Sequence, residues 1–342
     1  MANHFIFLLL LATFTIAVNT SSKFKEFQQF TQKYNKRYKS IDEFVKKYEI
    51  FKQNKKTIQK LQPKKLSGKQ KPNEARFAPN QFADLTQEEF IEKYLTLDVS
   101  SIQKMKEQQH LKGRTLQPST TEIPKSWDWR DHGAVSSVKH QHDCGSCWAF
   151  TTAATLESQY LMKTGKEIEL SVQQLIDCDK TNKGCHGGVM NKAYKYLQSN
   201  NLLLAEEYPY ENDDSSSCRH DGKKGLVGVK DFAFAETQDE QEIKRLLYEK
   251  GPLGGAVNAL PLAFYEGGIY DPWFDWLCSS SINHAITIVG YGEEDGTEYW
   301  IIKNSWGEEW GENGFFRIAL GRGLCGINTF VLHVEAEIND EE

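Results

Sequence analysis

The chain has 342 residues, a formal net charge of −6, and 39% hydrophobic and 12% aromatic residues. That apolar content can build a real core and excludes wholesale disorder. The acidic balance gives no general reason to expect nucleic-acid binding, and the length suggests about two domains plus extra segments.

The N-terminus reads "MANHFIFLLLLATFTIAVNTSS". Its apolar run, Phe5 to Val18, is too short to span a bilayer comfortably, and no second run of ~18 apolar residues follows. Residues 1–20 are expected to be a cleaved signal peptide, ending between Ala17 and Thr20, with no stable membrane insertion. A buried N-terminal helix is the plainer alternative. Over 21–122 there are 22 Lys and Arg against 12 Asp and Glu, a net +10; over 123–342 there are 19 against 35, a net −16. A basic segment fused to an acidic one suggests two parts that attract each other.

Phe24, Phe27, Phe30, Tyr34 and Tyr38 recur at spacings of three and four, the face of one helix. "SIDE" at Ser40–Glu43 is a capping box that opens a second helix, with a face of Phe44, Tyr48, Phe51 and Ile58. Residues 62–75 form a polar break, and "ARFAPNQFADL" suggests a short extended piece. "TQEE" at Thr86–Glu89 caps a third helix. Residues 96–122 have few periodic apolar positions and are expected to be an exposed linker. From Ile123 the texture changes. Helices are expected from about Ser146 to Lys163, closed by Gly165, and over Ser171–Asp177, Met190–Gln198 and Glu240–Lys250. "LGGAV", "HAITIVGYG", "EYWIIKNSW" and "GFFRIAL" then read as strands. Helices first and strands later suggest two lobes, one mainly α and one mainly β.

All seven cysteines, 144, 147, 178, 185, 218, 278 and 325, lie in the second part. An odd number leaves at least one thiol unpaired. In "CGSCWAF" the pair Cys144–Cys147 has three readings: a redox disulfide, half of a metal site, or one bridged cysteine beside one free nucleophile. A thioredoxin-like site expects the motif soon after a strand in a chain with few other cysteines. A zinc site expects further Cys/His pairs at close spacing, for which only "GCHG" offers itself. For the third reading, Cys147 falls in the first turn of a helix, where the dipole stabilises a thiolate. His284 opens the apolar run "HAITIVGYG", and Asn304 could accept from its ring N–H. Trp306 could shield that bond from water. Gln141 and the Cys147 backbone N–H could donate to an oxyanion. Singly, each has a plainer reading: a core histidine, a turn asparagine, a surface glutamine, a core tryptophan.

"GAVSSVKHQ", "CGSCWAF", "LSVQQLIDCD", "GCHGG", "YPY", "NHAITIVGYG" and "YWIIKNSWGEEWGENGFFRI" stand in one order with familiar gaps. Through them the region 123–342 resembles the papain family of cysteine peptidases over nearly its whole length. Residues 21–122 resemble the family's inhibitory propeptide. Glu43, Lys47, Phe51, Asn54, Ile58 and Gln62 follow the spacing E-x3-R-x3-F-x2-N-x3-I-x3-N, with Lys for Arg and Gln for the last Asn; that last departure is closer to cathepsin F than to cathepsin L. "APNQFAD" resembles G-x-N-x-F-x-D with Ala78 in the Gly position.

The resemblance implies an α+β, papain-like two-lobed fold, an α-helical lobe plus a β-barrel-like lobe, preceded by a helical propeptide. It implies Cys147 as nucleophile, His284 as acid and base, Asn304 as its orienter and Gln141 as oxyanion donor. It implies the bridges Cys144–Cys185, Cys178–Cys218 and Cys278–Cys325. Gly187 and Gly188 would let a substrate backbone lie close. Val189, Met190, Ala256, Ala285 and Phe330 would line an apolar pocket for the second residue before the cleaved bond (the P2 residue). His142 stands where the family has Gly and receives no role.

The expectation is an endopeptidase made as a zymogen on the secretory route, destined for a lysosome, a vacuole or the outside of the cell. It needs neither metal nor cofactor. Its partners are protein and peptide substrates, its own propeptide and cystatin-like inhibitors, and it is expected to be a monomer that binds no nucleic acid. A catalytically silent binding protein of the same fold is the alternative. Opposite charges on the two parts suggest that the propeptide loosens at acid pH, through paired carboxylates including Asp84, with cleavage within 114–123. The loop "YDPWFDWLC" suggests Trp273, Phe274 or Trp276 on the leaving-group side of the cleft.

Overall fold

The computed structural model describes residues 22–62, 73–107, 122–220, 222, 224–235, 237–272 and 278–339. Residues 1–20, most of the 62–75 break, the cleavage stretch and Trp273, Phe274 and Trp276 therefore lie wholly or largely outside the described residues.

Helix α1 spans Ser22–Lys33 and α2 spans Ile41–Leu61. The aromatic run continues past the end of α1: Asn35 takes a φ of 47°, which stops the helix, yet Tyr38 still stacks on Phe27. Phe27 is fully buried, and its ring lies 5.3 Å from those of Phe44, Tyr48 and Phe51. The two helices thus bury a shared aromatic seam. Ser40 caps α2 by accepting from Glu43 N at 3.1 Å, while the Glu43 carboxylate reaches back to Lys39 N. Helix α3, Gln87–Tyr94, carries the full reciprocal box between Thr86 and Glu89. Strand β1, Arg76–Phe77, is the expected extended piece.

The exposed linker expected over 96–122 is overturned in its first part. Leu97 is buried, and helix α4 spans Val99–Glu107 with Ile102 buried. Asp98 nucleates that helix by accepting from Ser101 N, and it pairs with Lys183 at 3.1 Å and Lys192 at 3.7 Å.

Beyond residue 122, α5 spans Cys147–Thr164, α6 Val172–Cys178, α7 Met190–Leu197 and α8 Glu240–Lys250. Gly165 ends α5 in the left-handed conformation. Every residue of α5 from Cys147 to Tyr160 is buried, so this stretch of the helix has no solvent face. It packs on α7 and on strands of the sheet.

Strands β2 (Trp127–Asp128), β3 (Val227–Phe234), β4 (Leu253–Val257), β5 (Tyr265–Gly267), β6 (Ile269–Tyr270), β7 (His284–Glu294), β8 (Thr297–Lys303), β9 (Phe315–Ala319) and β10 (Val331–Ile338) follow. Seven lie in the order β3-β10-β4-β7-β8-β9-β6, with β2 also paired to β7, and β5 pairs instead with β1. The β8 strand stops at Lys303, so "NSW" is loop, whereas the sequence pattern carries the strand through it. Two apolar cores result. One lies within the strands around Trp300, Trp310 and Phe316; the other surrounds α5 and α7 and takes Val334 and Leu332 from β10. The fold is α+β.

Three disulfides close, Cys144–Cys185, Cys178–Cys218 and Cys278–Cys325, and Cys147 is free. The first ties the residue three before α5 to the loop before α7. It thereby fixes the start of α5 against the backbone of Gly187 and Gly188.

Candidate active site

Cys147 opens α5 with its sulfur fully buried. Ala285, the residue after His284, lies near that sulfur, as do Trp148 and Thr96, and all three act against the burial that raises its pKa. His284 is the first residue of β7 and is also fully buried. The register Thr287 to Lys303 brings the end of β8 back alongside the start of β7, so Asn304 lies next to His284. His284 Nε2 donates to Asn304 Oδ1 at 2.8 Å. The Ser305 N–H donates to the same Oδ1 at 2.8 Å, which fixes that atom as the oxygen. The Trp306 ring lies 4.8 Å from the His284 ring and covers the pair.

Gln141 is buried, and its Nε2 donates to Cys144 O at 3.0 Å, which leaves its second amide hydrogen free for another acceptor. His142 adopts a φ of 50°, which explains why glycine suits this position, and its ring stacks on His140 at 4.0 Å.

A chain segment lies across this arrangement. Thr96 Oγ1 donates to Gly145 O at 2.8 Å, Leu97 N to Asn283 O at 3.1 Å and Asp98 N to Gly188 O at 3.0 Å. Gly187 has a φ of 108°, and a Cβ there would run into the Thr96 carbonyl. Leu97 joins the apolar cluster that holds Val189, Met190, Ala256, Ala285 and Phe330, together with Ile282. On the other side of the thiol, Tyr94 O faces His284 Nδ1 at 3.0 Å, and Phe82, Phe90 and Tyr94 pack on Trp306.

This cover sets the electrostatics. Burial pushes the Cys147 thiol up and His284 down to about 4, although Asn304 and Tyr94 pull His284 back upward. A neutral imidazole carries one hydrogen, so it cannot donate to both acceptors, and a charged one would sit in a dry site. Burial thus works against the charged forms of both groups, while the two acceptors on the ring work against the neutral imidazole.

Residues 123–334 match the papain family cysteine protease profile, and residues 27–90 match the cathepsin propeptide inhibitor domain. The chain belongs to the papain family of cysteine proteases. It is 38% identical over 327 residues to a probable cysteine protease, RD19B, of Arabidopsis thaliana, covering 91% of this chain and 86% of that protein. It is 37% identical over 304 residues to the viral cathepsin of Autographa californica nuclear polyhedrosis virus, covering 89% of each. Among solved structures, digestive procathepsin L 3 of Tenebrio molitor larval midgut superposes with a TM-score of 0.80 at 31% identity, covering 92% of this chain and 99% of the other.

The papain-family protease is thus seen here as a zymogen, with its inhibitor domain in place. That domain holds the enzyme at several points. Strand β1 pairs antiparallel with β5, Asn80 Nδ2 donates to Ala263 O at 2.8 Å, and Gln81 Nε2 donates to Trp306 O at 2.7 Å. Asp84 faces inward instead, pairing with Lys36 at 3.0 Å and Tyr38 at 3.0 Å, both in the same inhibitor domain. The idea that Asp84 bridges the two parts is therefore corrected. The cross-pairs also run both ways in charge: Asp98 of the propeptide meets Lys183 and Lys192, while Lys93 of the propeptide meets Asp143.

Sequence reasoning missed several participants. Tyr210 donates to Gln141 O at 2.6 Å, and Ser305 Oγ donates to Gln141 Oε1 at 2.8 Å. Tyr210 stands inside the "YPY" motif, a signal without an assigned task. Asn283 likewise opens the quoted motif "NHAITIVGYG" without an assigned task, while Ile282 and Asp143 carry no sequence signal. Among the described residues, no helix is long and apolar enough to cross a membrane.

Proposed function

We propose that the mature chain is an endopeptidase in which Cys147 attacks the peptide carbonyl, with a preference for an apolar P2 residue. The observation that carries this reading is the His284–Asn304 bond set against the one free cysteine of the described residues. Once the propeptide leaves, water re-enters, and thiolate and imidazolium both gain hydration. The thiolate then adds to the carbonyl carbon. Gln141 Nε2 and the Cys147 N–H stabilise the oxyanion. His284 protonates the departing amine, and a water deprotonated by the same ring hydrolyses the thioester. Asn304 keeps the ring oriented.

The P2 preference is supported by Leu97. Leu97, from the segment that lies across the thiol, belongs to the same buried apolar cluster as Val189, Met190, Ala256, Ala285 and Phe330. None of those walls offers a charge or a hydrogen-bonding side chain. An Arg there would lose hydration without a partner, whereas a Leu gains about 1.5–3 kcal/mol from burial. The apolar N-terminal run and three disulfides support passage through the secretory route, toward a lysosome, a vacuole or the exterior.

The test uses the processed enzyme and paired fluorogenic dipeptides that differ only at P2. Leu should be favoured over Arg by more than about tenfold in kcat/KM. Cys147→Ser should abolish turnover of both while leaving a folded zymogen, and residual activity within about tenfold of wild type defeats the covalent role. Failure of an active-site epoxide to label Cys147 in the processed form would favour a silent binding protein.

A further inference from the structure

We propose that Asp143 selects cationic residues on the leaving-group side of the substrate, about two to three places after the cleaved bond. This rests on the peptidase reading above. The propeptide segment marks the subsites in order. Leu97 joins the buried apolar cluster of Val189, Met190 and Phe330, Thr96 bonds to Gly145 O just before Cys147, and Tyr94 lies past it against His284 and Trp306. Because His284 hands its proton to the departing amine, the Tyr94 side is the side that the leaving peptide fills.

Two consecutive residues of the propeptide end on Asp143 there. Tyr94 O–H donates to Oδ1 at 3.1 Å, and Lys93 Nζ donates to Oδ2 at 2.7 Å. Both of these partners leave with the propeptide. What remains is an acid on a rigid rim. Asp143 lies two residues after Gln141, whose backbone and side chain are both tied down, and one before Cys144, which is bridged to Cys185. The carboxylate therefore cannot swing away to a new partner with its backbone. A substrate Lys or Arg would meet the same oxygen that Lys93 now holds. A substrate Glu would meet like charge.

A plainer role is that Asp143 only anchors the propeptide. The two differ in what the mature enzyme does. The side chain is 60% exposed in the zymogen, so the pair is worth the modest amount typical of surface ion pairs. The expected preference for Lys over Glu is about fivefold in kcat/KM.

Internally quenched peptides should share Leu at P2 and vary Lys, Ala or Glu at the second and third positions after the cleaved bond. Wild-type enzyme should rank Lys above Ala above Glu, and the spread should shrink in ~1 M salt, where the Debye length falls to about 3 Å. Asp143→Asn should collapse the spread, and Asp143→Lys should invert it, an outcome that loss of a merely structural residue does not produce. Equal Lys and Glu rates in wild type, or a spread that survives in Asp143→Asn, overturn the inference. A short dipeptidyl amide with nothing on the leaving side separates the two readings. An enzyme that cannot cleave it fails as a peptidase, and the inference falls with it. An enzyme that cleaves it yet ignores Lys against Glu refutes Asp143 alone.

Discussion

Gln141 is held from four directions. Its N–H donates to Ser305 O at 2.9 Å, its carbonyl accepts from Tyr210, its Oε1 accepts from Ser305, and its Nε2 donates to Cys144 O. A donor fixed this tightly suits a charge that develops only in the transition state, because no reorganisation is then needed. Gln141→Ala is expected to lower kcat by about 10²–10³, with a smaller change in KM. Steady-state kinetics of the processed variant checks this, and a KM effect alone would place Gln141 in ground-state binding instead. The four proposed chemical residues were legible because each sits in a motif whose neighbours dictate its place. The supports of Gln141 were not. Tyr210 lies 69 residues away and Ser305 164, so only the folded chain brings them to it. Leu97 was unreadable for a related reason, since its burial depends on a pocket made by another part of the chain.

Elements with local causes matched their sequence signals closely. The caps at Ser40 and Thr86 and the glycine after α5 all act within a few residues. Elements with non-local causes escaped. Strands β3 and β10 pair with each other across about a hundred residues of chain, and neither was expected. The contact between β8 and α5 escaped too. Lys303, at the end of β8, donates to Ser136 Oγ at 2.8 Å, and Ser136 donates to Glu157 of α5 at 2.5 Å. Glu157 also accepts from Leu170 N at 3.0 Å. Burial pulls Lys303 down to about 8, so at neutral pH it still carries most of its charge. This chain of bonds joins the strand core to the helix core in a dry place. Lys303→Met should remove the cation and leave Glu157 buried and uncompensated, at a cost of about 3–5 kcal/mol. Thermal or urea unfolding of the zymogen measures it. A variant of unchanged stability would mean that Glu157 does not depend on Lys303 for its place in the core.

At the scale of the whole molecule, the question is what releases the propeptide. Two classes of group titrate differently in the closed and open forms. Burial beneath the segment that carries Tyr94 holds His284 at about 4. Once uncovered, a histidine returns toward about 6.5. Between those values the open form binds protons that the closed form does not. The closed form is therefore favoured above about pH 6.5 and loses ground as pH falls toward 4, by up to about 1.4 kcal/mol per pH unit. The carboxylates act lower. Asp98 is held well below the usual carboxylate range by Ser100, Ser101 and Lys183 against the opposing effect of burial, and Asp143 is lowered by Lys93. Their contribution is intact above the ordinary carboxylate value of about 3.9 and fades only below it. Acid release should thus begin with His284, near pH 6, before the ion pairs weaken. Zymogen processing followed from pH 7 to pH 4 should accelerate mainly above pH 4.5. Asp98→Asn should speed processing at pH 7, because its link to Lys183 and Lys192 is gone at every pH. A wild-type zymogen that processes itself equally fast at pH 7 and pH 4.5 rules out both groups as the trigger. A rise confined to below pH 4 assigns it to the carboxylates alone.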